Sequence, residues 1–205
     1  MPLSLGFGIV CRSGVIGLVY AEMKEIQTER LVLRKLRLDD VQTYYDRLGS
    51  SEVVTKYMLW HPHRDISESE ASIRKSLGRY EEGRCYRWGV ALKTDDSIIG
   101  VMELLRLDEQ TNTCSFAYML AEEWWGQGYG TEALSAALSF AFTNLKVSAV
   151  EADHMAENVA SGAVMRKAGM VWQRTEAGKY EKNGVLHDAS IYRITAENFS
   201  KTAVS

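Results

Sequence analysis

Proline is scarce in this 205-residue chain, with Pro2 and Pro62 the two examples, and no proline-rich linker divides it. Cysteine is scarce as well: Cys11, Cys85 and Cys114 are odd in number and far apart. That excludes a disulfide framework and a cysteine metal cluster, and points to a reducing cytoplasm. Neither sign of charge dominates, since 24 Lys and Arg face 27 Asp and Glu for a net charge of −3. A dedicated nucleic-acid binder would carry a basic excess, so nucleic acid is not an expected partner. With a quarter of the residues charged, an integral membrane protein is excluded too, and no membrane partner is expected. Repeats and low-complexity tracts are missing. What is present is aromatic and apolar: five Trp, ten Tyr and five Phe rule out a disordered chain. The length suits one domain able to bury a core without staples. The sixteen glycines stand out against the two prolines.

Residues 1–22, MPLSLGFGIVCRSGVIGLVYAE, differ from everything that follows. No basic segment precedes the apolar run and Arg12 interrupts it, which argues against a signal peptide. The stretch is also too short and broken to span a bilayer. The expectation is a non-functional extension, with the natural start at or near Met23. The functional domain would then be residues 23–198, with 199–205 a C-terminal tail.

Along residues 23–198 the hydrophobic period changes in a set order. RLVLRKLR (30–37) alternates as a first strand. Asp39 and Asp40 offer N-caps for a helix over 41–48 that Gly49 stops. Ser67 with Glu70 forms a capping box, stapled by Ile66 and Ala71, for a helix to about Glu82. Three antiparallel strands follow: CYRWGVALKT, SIIGVMELLRL and TCSFAYML. Next is a helix with Leu134, Ala137, Leu138, Ala141, Phe142 and Leu145 along one face. VSAVEAD reads as a strand and 158–168 as a short helix. A last hairpin turns at Asn183-Gly184. The expected fold is a single α+β domain, a mixed and mostly antiparallel seven-stranded sheet flanked by about four helices.

The segment with most chemistry in it is Trp124-Trp125-Gly126-Gln127-Gly128-Tyr129-Gly130-Thr131, between a strand and an amphipathic helix. Alternate glycines let backbone N–H groups converge, and the helix dipole adds a preference for negative charge. Such a turn can hold a phosphate or pyrophosphate. It can equally be a tight connection and nothing more. It fits neither the dinucleotide G-x-G-x-x-G spacing nor the Gly-Lys-Ser/Thr of a P-loop, which leaves a general nucleotide-binding protein a weak alternative.

Taken with its surroundings, the chain resembles the GNAT superfamily of acetyl-coenzyme A-dependent N-acetyltransferases, in particular the branch of the ribosomal-protein N-terminal acetyltransferases. The resemblance rests on TERLVLRKL, YMLW, IIG, EEWWGQGYGTEAL, ENVASGAVMRKAGM and His187-Asp188, and spans nearly everything from Thr28 to Ile194. It implies acetyl-CoA as co-substrate, with no metal. Main-chain groups around Met119 and Leu120 would pair with the pantetheine arm, and the N–H groups of Gly126, Gly128, Tyr129 and Gly130 would hold the pyrophosphate. Asn158 matches a coenzyme-contacting Asn, and can also be a helix N-cap. Many members have a Tyr seven residues later as acid, where this chain has Met165; the resembled branch has a Ser in the role, here Ser161.

For the base, Glu103 in GVMELLRL is the first candidate and Asp153 and Glu157 the next. Glu103 reads equally well as a solvated strand position. Tyr57, Trp60 and His61 fall in the loop where the family builds its acceptor pocket, with His63 beside them. The two His flank Pro62 without further ligands, so no metal site is expected. His154 reads as structural, and Cys85 and Cys114 as core. The expected reaction is acetyl transfer to a primary amine, on a protein or peptide N-terminus or a small molecule, in the cytoplasm. The resemblance also allows a homodimer. The alternative is a GNAT-like module that binds coenzyme A without catalysis.

Overall fold

In the computed structural model, which describes residues 23–83 and 85–202, alternation of apolar side chains builds an eight-stranded sheet. The strands are β1 (Ile26–Gln27), β2 (Leu31–Lys35), β3 (Arg87–Leu92), β4 (Ile98–Asp108), β5 (Thr113–Leu120), β6 (Ala149–Met155), β7 (Val171–Lys182) and β8 (Val185–Thr195). Their spatial order is β1-β2-β3-β4-β5-β6-β8-β7, and every pairing is antiparallel except β5 with β6. The seven expected strands are there, and the two-residue β1 makes the eighth.

Six α-helical segments flank the sheet: α1 (Val41–Tyr44), α2 (Glu52–Thr55), α3 (Ile66–Glu81), α4 (Tyr129–Thr143), α5 (Val159–Lys167) and α6 (Ala196–Thr202). Four correspond to the helices read from the sequence. The single turn α2 and the terminal α6 are additional. Helix α6 runs across position 198, where the domain was expected to end, and its Phe199 ring packs against Phe142, tilted by 37° with centroids 5.1 Å apart. The expectations for residues 1–22, Cys11 among them, lie outside the described residues.

Each face of the sheet buries its own cluster. On one, Leu31, Leu33, Trp88, Val90 and Leu92 pack under Leu134, Ala137, Leu138 and Ala141 of α4, the apolar stripe read from the sequence. On the other, Leu36, Ala91, Ile98 and Val101 meet Tyr44, Leu48 and Ile73 from the α1 and α3 side. Two capping expectations shift. Helix α3 is capped by Asp65, which accepts the Ser67 N–H at 2.9 Å, so it opens two residues ahead of the Ser67–Glu70 box. Asp40 turns inward instead of capping α1: both its oxygens accept from the buried Arg34 at 2.9 Å. A buried guanidinium needs a carboxylate more than a helix end needs a cap.

Strands β5 and β6 pair only over residues 113–115 and 149–151, then diverge. Each stays paired on its outer side, β5 to β4 and β6 to β8. The sheet therefore opens a wedge toward the C-terminal ends of both strands, beside the glycine turn after β5 and the start of α5 after β6. That opening positions the candidate site.

Candidate active site

Backbone phase decides which groups face the wedge. The Ala121 N–H bonds the Ile99 carbonyl at 2.8 Å, and in an antiparallel ladder the direction of pairing alternates. Met119 therefore turns its N–H and C=O to Val101 on β4, while Tyr118 and Leu120 turn theirs to the gap. Of the two residues expected there, Leu120 presents main-chain groups and Met119 presents a side chain to the cavity. The Leu120 carbonyl already accepts from the Trp125 indole at 2.8 Å.

At the mouth of the wedge, Gly126 (φ +73°) and Gly128 (φ +87°) hold left-handed conformations that L-residues rarely adopt. Gly128 is the N-cap of α4, and the Glu132 N–H is the first to close, on the Gly128 carbonyl at 3.0 Å. The N–H groups of Gly128, Tyr129, Gly130 and Thr131 are left without an intrahelical acceptor at the positive end of a 15-residue helix. Gly130 has a separate reason: a Cβ there would come within 3.1 Å of Leu120 and 3.4 Å of Val164. The sequence reading missed Arg30. Its guanidinium donates to the Gln127 carbonyl at 3.1 Å, pairs with Glu132 at 2.7 Å and lies 4.1 Å from the Tyr129 ring centre. It braces the turn and adds a positive charge beside it. An arginine following Thr-Glu at the entry to a strand carries no signal that it crosses to a helix a hundred residues on.

Inside the wedge is a cavity of about 440 Å³ whose lining joins half of the predicted residues. Ser161, Glu103, Met119, Asn158, Tyr57 and Trp60 all line it. His61 is exposed and does not; His63, turned in by its N–H bond to the Gly49 carbonyl (2.8 Å), lines it instead, with centroids 5.1 Å from Trp60 and 6.0 Å from Tyr44. Burial and, secondarily, the charge of Arg87 lower the His63 pKa, against the opposing carboxylates of Glu68 and Asp65.

Asn158 caps α5 by accepting the Ser161 N–H at 3.3 Å. That puts Ser161 in the first turn, its Oγ 2.9 Å from the hydroxyl of Tyr118, which also lies 3.0 Å from the Ser161 carbonyl. Burial raises the Tyr118 pKa, with the bond to Ser161 opposing, so the phenol stays protonated. Met165 is buried and lines the same cavity. A tyrosine hydroxyl thus reaches this region from β5.

Two carboxylates line the cavity. Glu103 lies 3.4 Å from Arg79 and 3.5 Å from Arg87. Asp153 takes Lys179 at 2.6 Å and the Tyr180 hydroxyl. Glu157 is exposed and pairs with His187 at 3.1 Å. His154 is buried, its Nδ1 2.7 Å from the Met155 carbonyl. Cys85 and Cys114 are buried free thiols pushed up by desolvation, Cys114 to about 12, which makes them poor nucleophiles. Among the described residues no group of three His, Cys, Asp or Glu side chains is arranged to hold a metal, and no helix is long and apolar enough to cross a membrane.

A family model described as the acetyltransferase (GNAT) domain matches residues 30–171. The chain is 28% identical over 166 residues to the uncharacterized N-acetyltransferase p20 of Bacillus licheniformis, covering 81% of this chain and 87% of that one. It is 25% identical over 169 residues to the ribosomal protein uS5-alanine N-acetyltransferase of Escherichia coli, covering 80% and 81%. In fold it is similar to the spermidine N-acetyltransferase of Vibrio cholerae, solved with CoA and spermine: TM-score 0.72 and 20% identity, over 84% of this chain and 99% of that one.

Proposed function

We propose a mechanism for this chain on a plain premise: it belongs to the acetyltransferase (GNAT) family and is an N-acetyltransferase. The donor is acetyl-CoA and the acceptor a primary amine. One observation carries the assignment, the wedge between β5 and β6 with an unpaired strand edge on one wall and a glycine-capped helix N-terminus at its mouth. An extended amide-bearing arm suits the free edge as an added strand would, and a pyrophosphate suits the converging N–H groups.

In the proposed step the neutral amine attacks the thioester carbonyl, and an N–H on the open edge of β5 stabilises the oxyanion. The C–N bond forms and the C–S bond breaks. The proton lost by nitrogen passes to Glu103, directly or through water, with Asp153 the other carboxylate in reach of the cavity. The sulfur leaves as a thiolate and takes a proton from the Ser161 hydroxyl, which regains one from Tyr118 or solvent. The products are an acetamide and free coenzyme A. No covalent enzyme intermediate is required. The buried reduced thiols Cys85 and Cys114 accord with a cytoplasmic location.

The test is to incubate the purified chain with acetyl-CoA and a panel of peptides and small amines, following thiol release and the mass of the acceptor. Thiol release matched by an acceptor gain of one acetyl group is expected. Tight coenzyme binding with no release across the panel would favour a non-catalytic module.

A further inference from the structure

Helix α3 lines the cavity with an unexpected stripe. Ser72, Lys75, Ser76 and Arg79 lie at i, i+3, i+4 and i+7, one face of a helix, and all four border the cavity. A helix face turned to the interior is ordinarily apolar. Here Arg87 of β3 completes the polar wall, its side chain 12% exposed and fixed by Ser76 Oγ (2.9 Å), Tyr44 Oη (3.0 Å) and Ser72 Oγ (3.2 Å). Its buried Nε has no hydrogen-bond partner among the described residues. Two cations, Arg79 and Arg87, thus share one carboxylate, Glu103, which sits at the long distances of 3.4 and 3.5 Å from the two guanidinium groups, and the exposed Lys75 brings a third positive charge to the rim of the same cavity. Across the cavity Asp153 is already matched by Lys179 at 2.6 Å. Among the described residues the acceptor side therefore carries an uncompensated positive charge, with the donors of Lys75 and most of those of Arg79 free.

From this we infer that the acceptor is a small amine bearing its own carboxylate, the chemistry of a free amino acid. The inference rests on the acetyltransferase reading above and narrows its acceptor. A carboxylate gains charge-assisted bonds from Lys75 and Arg79 against the fixed charge of Arg87, while the amine lies toward Glu103. A polyamine would bring cations to a cationic wall. A peptide N-terminus would bring no charge to it. The aromatic side of the cavity, Tyr44, Trp60 and His63, leaves room for an apolar side chain on the same molecule.

The experiment compares phenylalanine and methionine with their own amides, and with spermidine, by thiol release from acetyl-CoA. The acids are expected to exceed their amides by about tenfold or more in kcat/KM, the size of a charge-assisted hydrogen bond. The amides are the less basic amines, so the bias of the assay runs against the inference. Arg79→Met and Lys75→Met are expected to shrink that preference, Arg79→Lys to keep part of it, while calorimetry with CoA and the thermal midpoint verify that the variants are folded. Amides or spermidine turning over as fast as the acids would overturn the inference and leave the enzyme reading standing. No thiol release with any amine, alongside normal CoA binding, would overturn the enzyme reading and the inference with it.

Discussion

The hydroxyl of Tyr118 lies 2.9 Å from Ser161 Oγ and 3.0 Å from the Ser161 carbonyl. A phenol has one hydrogen, so the pair has two arrangements. Tyr118 can donate to the carbonyl and accept from the serine, which occupies the serine's proton. It can also donate to Oγ, which frees that proton for a leaving sulfur. If Ser161 is the acid, Ser161→Ala lowers kcat by about 100-fold, the low end of general acid catalysis, with little change in the KM for acetyl-CoA. Tyr118→Phe removes one hydrogen bond from the pair and lowers kcat by about tenfold. Steady-state kinetics with a saturating acceptor measure both, and an unchanged kcat in Ser161→Ala removes that residue from the role.

Gly126 and Gly128 separate backbone strain from contact. A Cβ on Gly126 meets nothing within 4 Å, so Gly126→Ala adds only the strain of φ +73°, about 1–2 kcal/mol. A Cβ on Gly128 also comes within 3.3 Å of the Arg30 guanidinium that braces the turn. Both substitutions are expected to raise the dissociation constant for CoA by about tenfold, Gly128→Ala by more. Gly178, at φ +62° in β7, is the control: Gly178→Ala carries similar strain with no effect on CoA. Calorimetric titration distinguishes them, and equal losses in all three would make the effect global.

Lys182, near the tip of the β7–β8 hairpin, donates to the carbonyls of Thr55 (2.8 Å), Lys56 (3.0 Å) and Met58 (2.7 Å). All three of its donors are spent at the end of α2, on the loop that carries Tyr57 and Trp60 into the cavity. Lys182→Met is expected to cost about 1–3 kcal/mol through the carbonyls left without a partner. It should also raise the acceptor KM severalfold and leave CoA affinity alone. Hydrogen exchange should speed up over residues 56–60. Unaltered exchange there would show that the lysine does not hold the loop.

How far these features were readable depends on what the period of a sequence records. Apolar spacing identified α4, because Leu134, Ala137, Leu138 and Ala141 are buried on the sheet, and Asn183-Gly184 identified its hairpin. The stripe of Ser72, Lys75, Ser76 and Arg79 has the same period but reads as a solvent face, since polarity and exposure are indistinguishable in a sequence. Asp40 reads as a cap because its partner Arg34 comes from a neighbouring strand. In the loop, His61 and His63 are equivalent in composition. Tertiary contacts hold the His63 ring inward: its backbone N–H bonds the Gly49 carbonyl, its Nδ1 meets Ser69 Oγ, and its ring packs on Trp60 and Tyr44. At the glycine turn Gly126 and Gly128 hold the left-handed conformations their residue type favours, while the Arg30 brace on the turn carries no signal in the sequence.

His63 supplies a pH dependence of stability. Burial holds its folded pKa below the ordinary histidine value, so the unfolded chain binds more protons between the two values. Stability therefore rises with pH through that window. As pH falls below about 6.5, the unfolded His63 protonates first and the folded state loses ground, until the folded imidazole protonates as well. Its Nδ1 lies 2.8 Å from Ser69 Oγ, and Glu68 and Asp65 partly offset the shift. Thermal midpoints at pH 7.5, 6.5 and 5.5 should fall more steeply for the native chain than for His63→Gln, which keeps a polar group but has no proton to gain. Parallel slopes for the two proteins would show that the acid sensitivity arises elsewhere.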